Sequence, residues 1–108
     1  MHTLVLVGEL DRTSTSTLEA SIEGLCEREV AEIVLDLRQL TRIDATGVAV
    51  IAFRRDWCER HGVELTLIAG PPHVQRAFER AYVLEQLPFV EPPRRPHFVE
   101  RRVLVADA

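Results

Sequence analysis

Short runs of β-branched and aliphatic residues alternate along this chain with segments whose apolar residues recur at helical spacing. Three strands are predicted, at "TLVLVGEL" (3–10), "AEIVLDL" (31–37) and "VELTLIAG" (63–70). Three helices are predicted, at "STSTLEASIEGLCERE" (14–29), "VAVIAFRRDWCERHG" (48–62) and "PPHVQRAFERAYVLEQL" (71–87). Because parallel strands need a crossover and the crossovers here are helical, the alternation predicts an α/β fold around a small, mostly parallel or mixed sheet.

The ends of these elements carry recognisable signals. Gly8 is expected to end the first strand, and Ser14 or Thr15 to cap the first helix through its hydroxyl. Gly62 is expected to stop the second helix. The third helix presents one apolar face, made by Val74, Ala77, Phe78 and Ala81.

Composition excludes several classes of protein. The chain has 108 residues, which is one domain's worth, and its 46% hydrophobic and 28% charged residues are typical of a soluble globular protein. The net charge of -4 leaves no positive field for a phosphate backbone, so no direct nucleic-acid partner is expected. The first residues contain no basic leader and only a short apolar run, which predicts a cytoplasmic protein without membrane insertion.

The carboxyl-terminal part of the chain has a different character. "PFVEPPRRP" (88–96) is rich in proline and predicts a linker. "HFVERRVLVADA" (97–108) contains Val103, Leu104 and Val105, which suffice for a short strand. We therefore divide the chain into a domain at 1–90 and a tail containing proline and arginine at 91–108.

The stretch "IDATGVAV" (43–50) places a carboxylate, a hydroxyl and a glycine between a strand end and a helix start. In a structural interpretation, Asp44 or Thr46 caps the second helix and Gly47 lets its first turn approach the sheet closely. In a functional interpretation, a hydroxyl at a helix N-terminus lies in a positive field that favours an attached phosphate. The two interpretations are compatible.

Three blocks of the sequence together resemble the STAS domain family, whose best-known members are bacterial anti-sigma factor antagonists. They are "GELD" (8–11), "IVLDLRQLTRIDATGVAVI" (33–51) and "GVELTLIAGPPHVQRAFE" (62–79), and the resemblance spans roughly residues 3–90. It implies that Thr46 is phosphorylated by a serine/threonine kinase-type anti-sigma factor and dephosphorylated by a phosphatase. It also implies that Asp44 and Gly47 support the phosphosite and that Asp11 lies beside it.

The implied protein is a partner switch, without catalytic residues, cofactor or metal, that binds the kinase when Thr46 is unmodified. Ala45 and Thr46 depart from the serines usual in this motif. The family's N-terminal strand is missing from the sequence, so we expect residues near 98–105 to pair with the edge left open, in their own chain or swapped into a neighbour's as a homodimer.

Partner contacts are assigned to Val48, Phe53 and Trp57. Phe53 and Trp57 lie four residues apart, at α-helical spacing, and outside the apolar face to which Val48 belongs. They serve either as core or as binding anchors. Three arginines of the same helix are interpreted as a solvated face: Arg54, Arg55 and Arg60. Cys26 and Cys58 are far apart in sequence and are interpreted as reduced, largely buried thiols outside any zinc site or disulfide framework.

A second function remains open from the sequence. STAS domains also occur as non-enzymatic accessory subunits on the cytoplasmic ATPase of ABC-type lipid transport complexes. The threonine at position 46 and an exposed aromatic pair would suit that role as well. Neighbouring genes would separate the two functions.

Overall fold

The computed structural model describes residues 2–81, 83–92 and 99–104, the last of these ranges as backbone. The strands are β1 (His2–Leu10), β2 (Glu32–Asp36), β3 (Leu40–Ile43), β4 (Glu64–Ile68), β5 (Phe89–Val90) and β6 (Val99–Leu104). The helices are α1 (Thr15–Glu27), α2 (Ala45–Arg60) and α3 (Pro72–Arg80), and a short 3-10 turn follows at Leu84–Gln86. The α/β class predicted from the alternation is confirmed.

The sheet is built around β1, with strand order β3-β1-β2-β4-β5 and every pairing among the described strands parallel. One edge of β1 pairs with β2. The other edge is shared, because β6 pairs with His2–Val7 and β3 pairs with Gly8–Leu10. The predicted pairing of the tail with an open sheet edge is therefore confirmed, within its own chain. Residues 98 and 105, the limits predicted for it, lie outside the described residues.

The core forms where the helices cover the sheet with their apolar residues. In α1 the buried side chains of Leu18, Ile22 and Leu25 recur at the helical spacing seen in the sequence. In α3 the same role falls to Val74 and Phe78. Helix α2 contacts both α1 and α3, and it also packs against β4.

The strands β3 and β5 were not predicted from the sequence, because they are short and lie at the edges of the sheet. In β3 only Leu40 is buried, whereas Thr41 and Arg42 are exposed, so its sequence has no strand-like apolar run. The prediction of a linker was wrong at Phe89–Val90, where β5 pairs with Leu67 and Ile68 of β4. The flanking prolines are tolerated there because an edge strand needs donors on one side only.

The third helix is also shorter than predicted. It ends at Arg80, with Ala81 as its exposed C-cap, so Ala81 does not extend the apolar face.

The first strand continues through Gly8 instead of ending there. Gly8 has a φ of 98°, a conformation that only glycine adopts readily, and the pairing with β3 shifts register between Gly8 and Glu9. After this irregularity Leu10 pairs with Ile43. The carboxyl ends of β1 and β3 are thereby brought side by side.

Candidate functional site

The candidate site lies where β1 and β3 end next to each other. The backbone N–H of Asp44 donates to the carbonyl oxygen of Leu10 at 3.2 Å, which joins the two strand ends. The loop that follows β1 therefore meets the amino end of α2. This is the edge of a parallel sheet at which binding sites usually form.

Asp44 holds this junction with both carboxylate oxygens. Its Oδ1 accepts a hydrogen bond from the backbone N–H of Gly47 at 2.8 Å, so Asp44 is the cap of α2. Its Oδ2 accepts a longer hydrogen bond, 3.4 Å, from the backbone N–H of Arg12. One side chain thus ties the start of α2 to the loop after β1.

Gly47 permits the close approach of α2 to the strand ends. A Cβ atom at this position would lie 2.7 Å from the carbonyl oxygen of Leu10 and 2.8 Å from Cγ1 of Ile43. Both distances are too short for any side chain. The close approach expected from the sequence is therefore confirmed.

Asp11 organises the loop after β1. Its Oδ1 accepts hydrogen bonds from the Thr13 hydroxyl at 2.7 Å and from the Thr13 backbone N–H at 2.9 Å. These bonds hold the pKa of Asp11 below its ordinary value, so this carboxylate is charged at neutral pH. The hydroxyl of Ser14 donates a hydrogen bond to the carbonyl oxygen of Glu9 at 2.8 Å, within the same loop.

The predicted cap of α1 was therefore wrong. Ser14 stands at the N-cap position but makes no capping hydrogen bond through its side chain, and Thr15 is already the first residue of the helix.

Thr46 is the second residue of α2 and is exposed to solvent. Within residues 2–81, 83–92 and 99–104 its hydroxyl has no hydrogen-bond partner. It lines a shallow surface pocket of about 240 Å³ together with Asp11, Arg12, Thr13 and Asp44. The fold therefore brings Thr46 and Asp11 to one depression from positions far apart in sequence.

Further along α2, the three residues predicted to contact partners lie in different environments. Val48 is only 1% exposed and packs in the core, so its assignment to a partner surface was wrong. Phe53 is 54% exposed. Trp57 is half-buried against the core, and its ring stacks on His61 with 4.3 Å between ring centroids.

Arg54 was assigned to a solvated face, and that assignment was wrong. It is 8% exposed, and its guanidinium donates to Glu19 at 2.8 Å and to Glu23 at 2.6 Å, both on α1. Its Cζ also lies 5.0 Å from the centre of the Trp57 ring. The acidic partners are spaced by four residues on α1, which is the signal in the sequence that could have indicated a facing arginine.

The described part of the chain was searched for a metal site and for a membrane-spanning helix, and neither was found. Residues 2–81, 83–92 and 99–104 contain no group of three or more His, Cys, Asp or Glu side chains able to hold a metal ion. None of the helices in these ranges is long and apolar enough to cross a membrane.

Comparison with known proteins agrees with this fold. The chain resembles the structure of the anti-sigma factor antagonist SpoIIAA in its unphosphorylated form, with a TM-score of 0.69 and 21% identity, over 86% of this chain and 82% of that one. It also resembles the STAS domain of a SulP transporter from Vibrio cholerae, with a TM-score of 0.61 and 11% identity, over 83% of this chain and 73% of that one. The sequence profile of the STAS domain matches residues 2–93. The chain therefore belongs to the STAS domain family.

Proposed function

We propose that this protein is an anti-sigma factor antagonist, a cytoplasmic partner switch controlled by phosphorylation of Thr46. The observation that carries the proposal is the exposure of the Thr46 hydroxyl on the first turn of α2, in a pocket shared with Asp11 and Asp44. A kinase can reach such a hydroxyl without unfolding the domain. The likeness to an antagonist whose structure was determined in an unphosphorylated form supports this choice among STAS functions.

Phosphorylation would change the charge of this pocket strongly while disturbing the fold little. A phosphate adds about -1.5 to -2 charges at neutral pH, and Asp11 and Asp44 line the same pocket. The N-terminus of α2 favours the phosphate by roughly 0.3 to 1 kcal/mol, which offsets part of this repulsion within the domain. A partner packed over the pocket has to desolvate the added charge. Binding to the partner is therefore the property that changes.

A partner seated on Thr46 would also meet Phe53. The two residues are seven positions apart, which places them on the same side of α2 and about 10 Å apart along its axis. Ala49, between them, is exposed as well. We infer that Thr46, Ala49 and Phe53 form one binding surface, with half-buried Trp57 supporting its far end.

The test uses baits that differ from wild type at one exposed position on the first turn of a helix. Wild-type protein, Thr46→Ala and Thr46→Glu are used to capture partners from the native cell. Thr17→Glu, an exposed position on the first turn of α1, is the matched control. We expect wild type, Thr46→Ala and Thr17→Glu to capture a kinase-type anti-sigma factor, and Thr46→Glu to lose it by about a hundredfold, equivalent to roughly 3 kcal/mol.

The captured kinase and MgATP are then added to each protein, and intact mass is measured. One phosphate is expected on wild type and on Thr17→Glu, and none on Thr46→Ala. Equal capture by all baits together with an unmodified wild-type mass would contradict the switch. Capture of a transporter ATPase by every bait would instead support the accessory subunit of a lipid transport complex.

A further inference from the structure

A positively charged side chain, Arg12, lies on the pocket that contains Thr46. Arg12 is exposed on the loop after β1 and lines this depression together with Asp11 and Asp44. In the part of the chain that the structure describes, no carboxylate forms an ion pair with its guanidinium. The guanidinium is therefore available to an anion that enters the pocket.

The backbone of Arg12 is held beside the first turn of α2. The carboxylate of Asp44 accepts hydrogen bonds from the backbone N–H of Gly47 at 2.8 Å and from that of Arg12 at 3.4 Å. Thr46 directly precedes Gly47, and the pocket that it shares with Arg12, about 240 Å³, is similar in width to the length of an extended arginine side chain. A guanidinium on this backbone can therefore reach a phosphate on Thr46.

We propose that Arg12 binds the phosphate carried by Thr46 and holds it at the amino end of α2. An arginine that faces a phosphate forms charge-assisted hydrogen bonds, often in pairs, because the planar guanidinium matches two phosphate oxygens. The inference rests on the proposed phosphorylation of Thr46. It adds the group of this chain that receives the phosphate.

The charges around the pocket give Arg12 its importance. Asp11 and Asp44 line the pocket and repel a phosphate, and Thr13, which also lines it, is uncharged. The repulsion raises the second pKa of the phosphate, whereas a nearby guanidinium and the N-terminus of α2 lower it. Arg12 therefore offsets one of the two carboxylates and keeps the phosphate doubly charged near neutral pH.

The same pairing changes the surface that a partner meets. On the unmodified protein the partner meets a guanidinium that is free to bind it. After phosphorylation the guanidinium is already paired, and the pocket carries a net negative charge. One modification thus removes an attractive group and adds a repulsive one, which is an effective way to separate two binding states.

The test places phosphothreonine at position 46 during synthesis, by amber suppression, in wild type, Arg12→Ala, Arg12→Lys and Arg60→Ala. No kinase is needed, so the measurement does not depend on whether the switch operates in the cell. Arg60→Ala is the matched control, because it removes an exposed arginine from the opposite end of α2. Phosphorus NMR as a function of pH then measures the second pKa of the phosphate, which is about 6 without protein contacts.

We expect Arg12→Ala to raise this pKa by about 0.5 or more, because losing a nearby cation disfavours the dianion even at a solvent-exposed site. Arg12→Lys should raise it by less, since lysine keeps the charge but not the planar fork. Arg60→Ala should leave it unchanged.

Two results would overturn the proposal. One is the same phosphate pKa in wild type and Arg12→Ala. The other is an equal rise in Arg12→Ala and Arg60→Ala, which would show an effect of net charge alone. The proposed switch fails separately: if no kinase is captured but only the Arg12 variants move the pKa, the phosphate site stands without the switch.

If a kinase is captured and neither Arg12 variant moves the pKa, the switch stands and the role of Arg12 is wrong.

Discussion

The two ends of α2 show opposite ways of placing polar groups in a small domain. At its amino end, Asp44 caps the helix through Gly47, three residues away, and Thr46 is left exposed. In its carboxyl half, Arg54 is nearly buried and reaches Glu19, 35 residues away, on another helix. The amino end is a local arrangement that is open to solvent. The carboxyl half belongs to the packing between helices.

Polarity alone therefore does not distinguish a surface residue from a residue at the seam, the contact between α1 and α2. Charged side chains at both ends satisfy their hydrogen bonds, but only in the carboxyl half do they join two helices by ion pairs. A change at the amino end should therefore affect binding, unless it disturbs the strand ends. A change in the carboxyl half should affect stability first.

The largest effect is expected at Gly47, where the amino end of α2 lies against the strand ends. Gly47→Ala would place a Cβ 2.7 Å from the carbonyl oxygen of Leu10, so the backbone of α2 must shift. We expect a loss of about 3 kcal/mol in the free energy of unfolding, at the upper end of overpacking effects. Urea unfolding measures it.

Gly24→Ala is the matched control for that change. A Cβ at Gly24, inside α1, meets no atom within 4 Å. Alanine should therefore stabilise the helix by about 0.5 to 1 kcal/mol. Similar losses for both variants would show that α2 does not approach the strands as closely as the structure indicates.

The next effect concerns the seam. Arg54→Ala removes the hydrogen bonds to Glu19 and Glu23 and leaves two carboxylates facing each other. Since both carboxylates are partly exposed and can be rehydrated, we expect a loss of about 2 kcal/mol. Arg55→Ala, which breaks a surface pair with Glu59 on the same helix, should cost less than about 0.5 kcal/mol. Equal costs would place Arg54 on the surface.

A third prediction uses alkaline pH to probe the buried thiol of the seam. Burial, followed by the neighbouring Cys26 thiol, raises the pKa of Cys58 to about 12. In the unfolded chain the thiol ionises near its ordinary value, 9.0, so it contributes stability that is complete below pH 9 and is lost as the pH rises toward 12. Under reducing conditions this loss should approach about 1.4 kcal/mol per pH unit above pH 9.

The control is Cys58→Ala, whose free energy of unfolding should fall less steeply over the same pH range. Parallel curves for the two proteins would mean that the Cys58 thiol is not buried in the native state.

The smallest effect is expected from the cap. Asp44→Ala leaves the backbone N–H of Gly47 without its partner and should cost about 1 kcal/mol, whereas Asp44→Asn should cost less than about 0.5 kcal/mol because asparagine caps equally well. Denaturant unfolding of both variants separates the cap from the charge. A large loss in Asp44→Asn would show that the carboxylate charge itself holds the junction.

Prediction from the sequence succeeded where the signal is local. The helical spacing of Leu18, Ile22 and Leu25 and the close approach of Gly47 could be recognised from neighbouring residues alone. It failed for β3 and β5, because edge strands of four and two residues carry no apolar run. The site was predicted only in part, since the roles assigned to Thr46 and Asp11 remain proposals and Val48 proved to be core.

The fold class and the requirement for glycine at position 47 follow from the sequence alone, because each depends on periodicity or on residues a few positions apart. The sequence left the cap of α2 open between Asp44 and Thr46. The tertiary structure was needed to show that β6 pairs with β1 of its own chain and that Arg54 faces Glu19 and Glu23. These contacts join residues about 30 to 100 positions apart, and loop closure over such distances costs nearly the same for many alternative partners. The packing of the whole core selects among them.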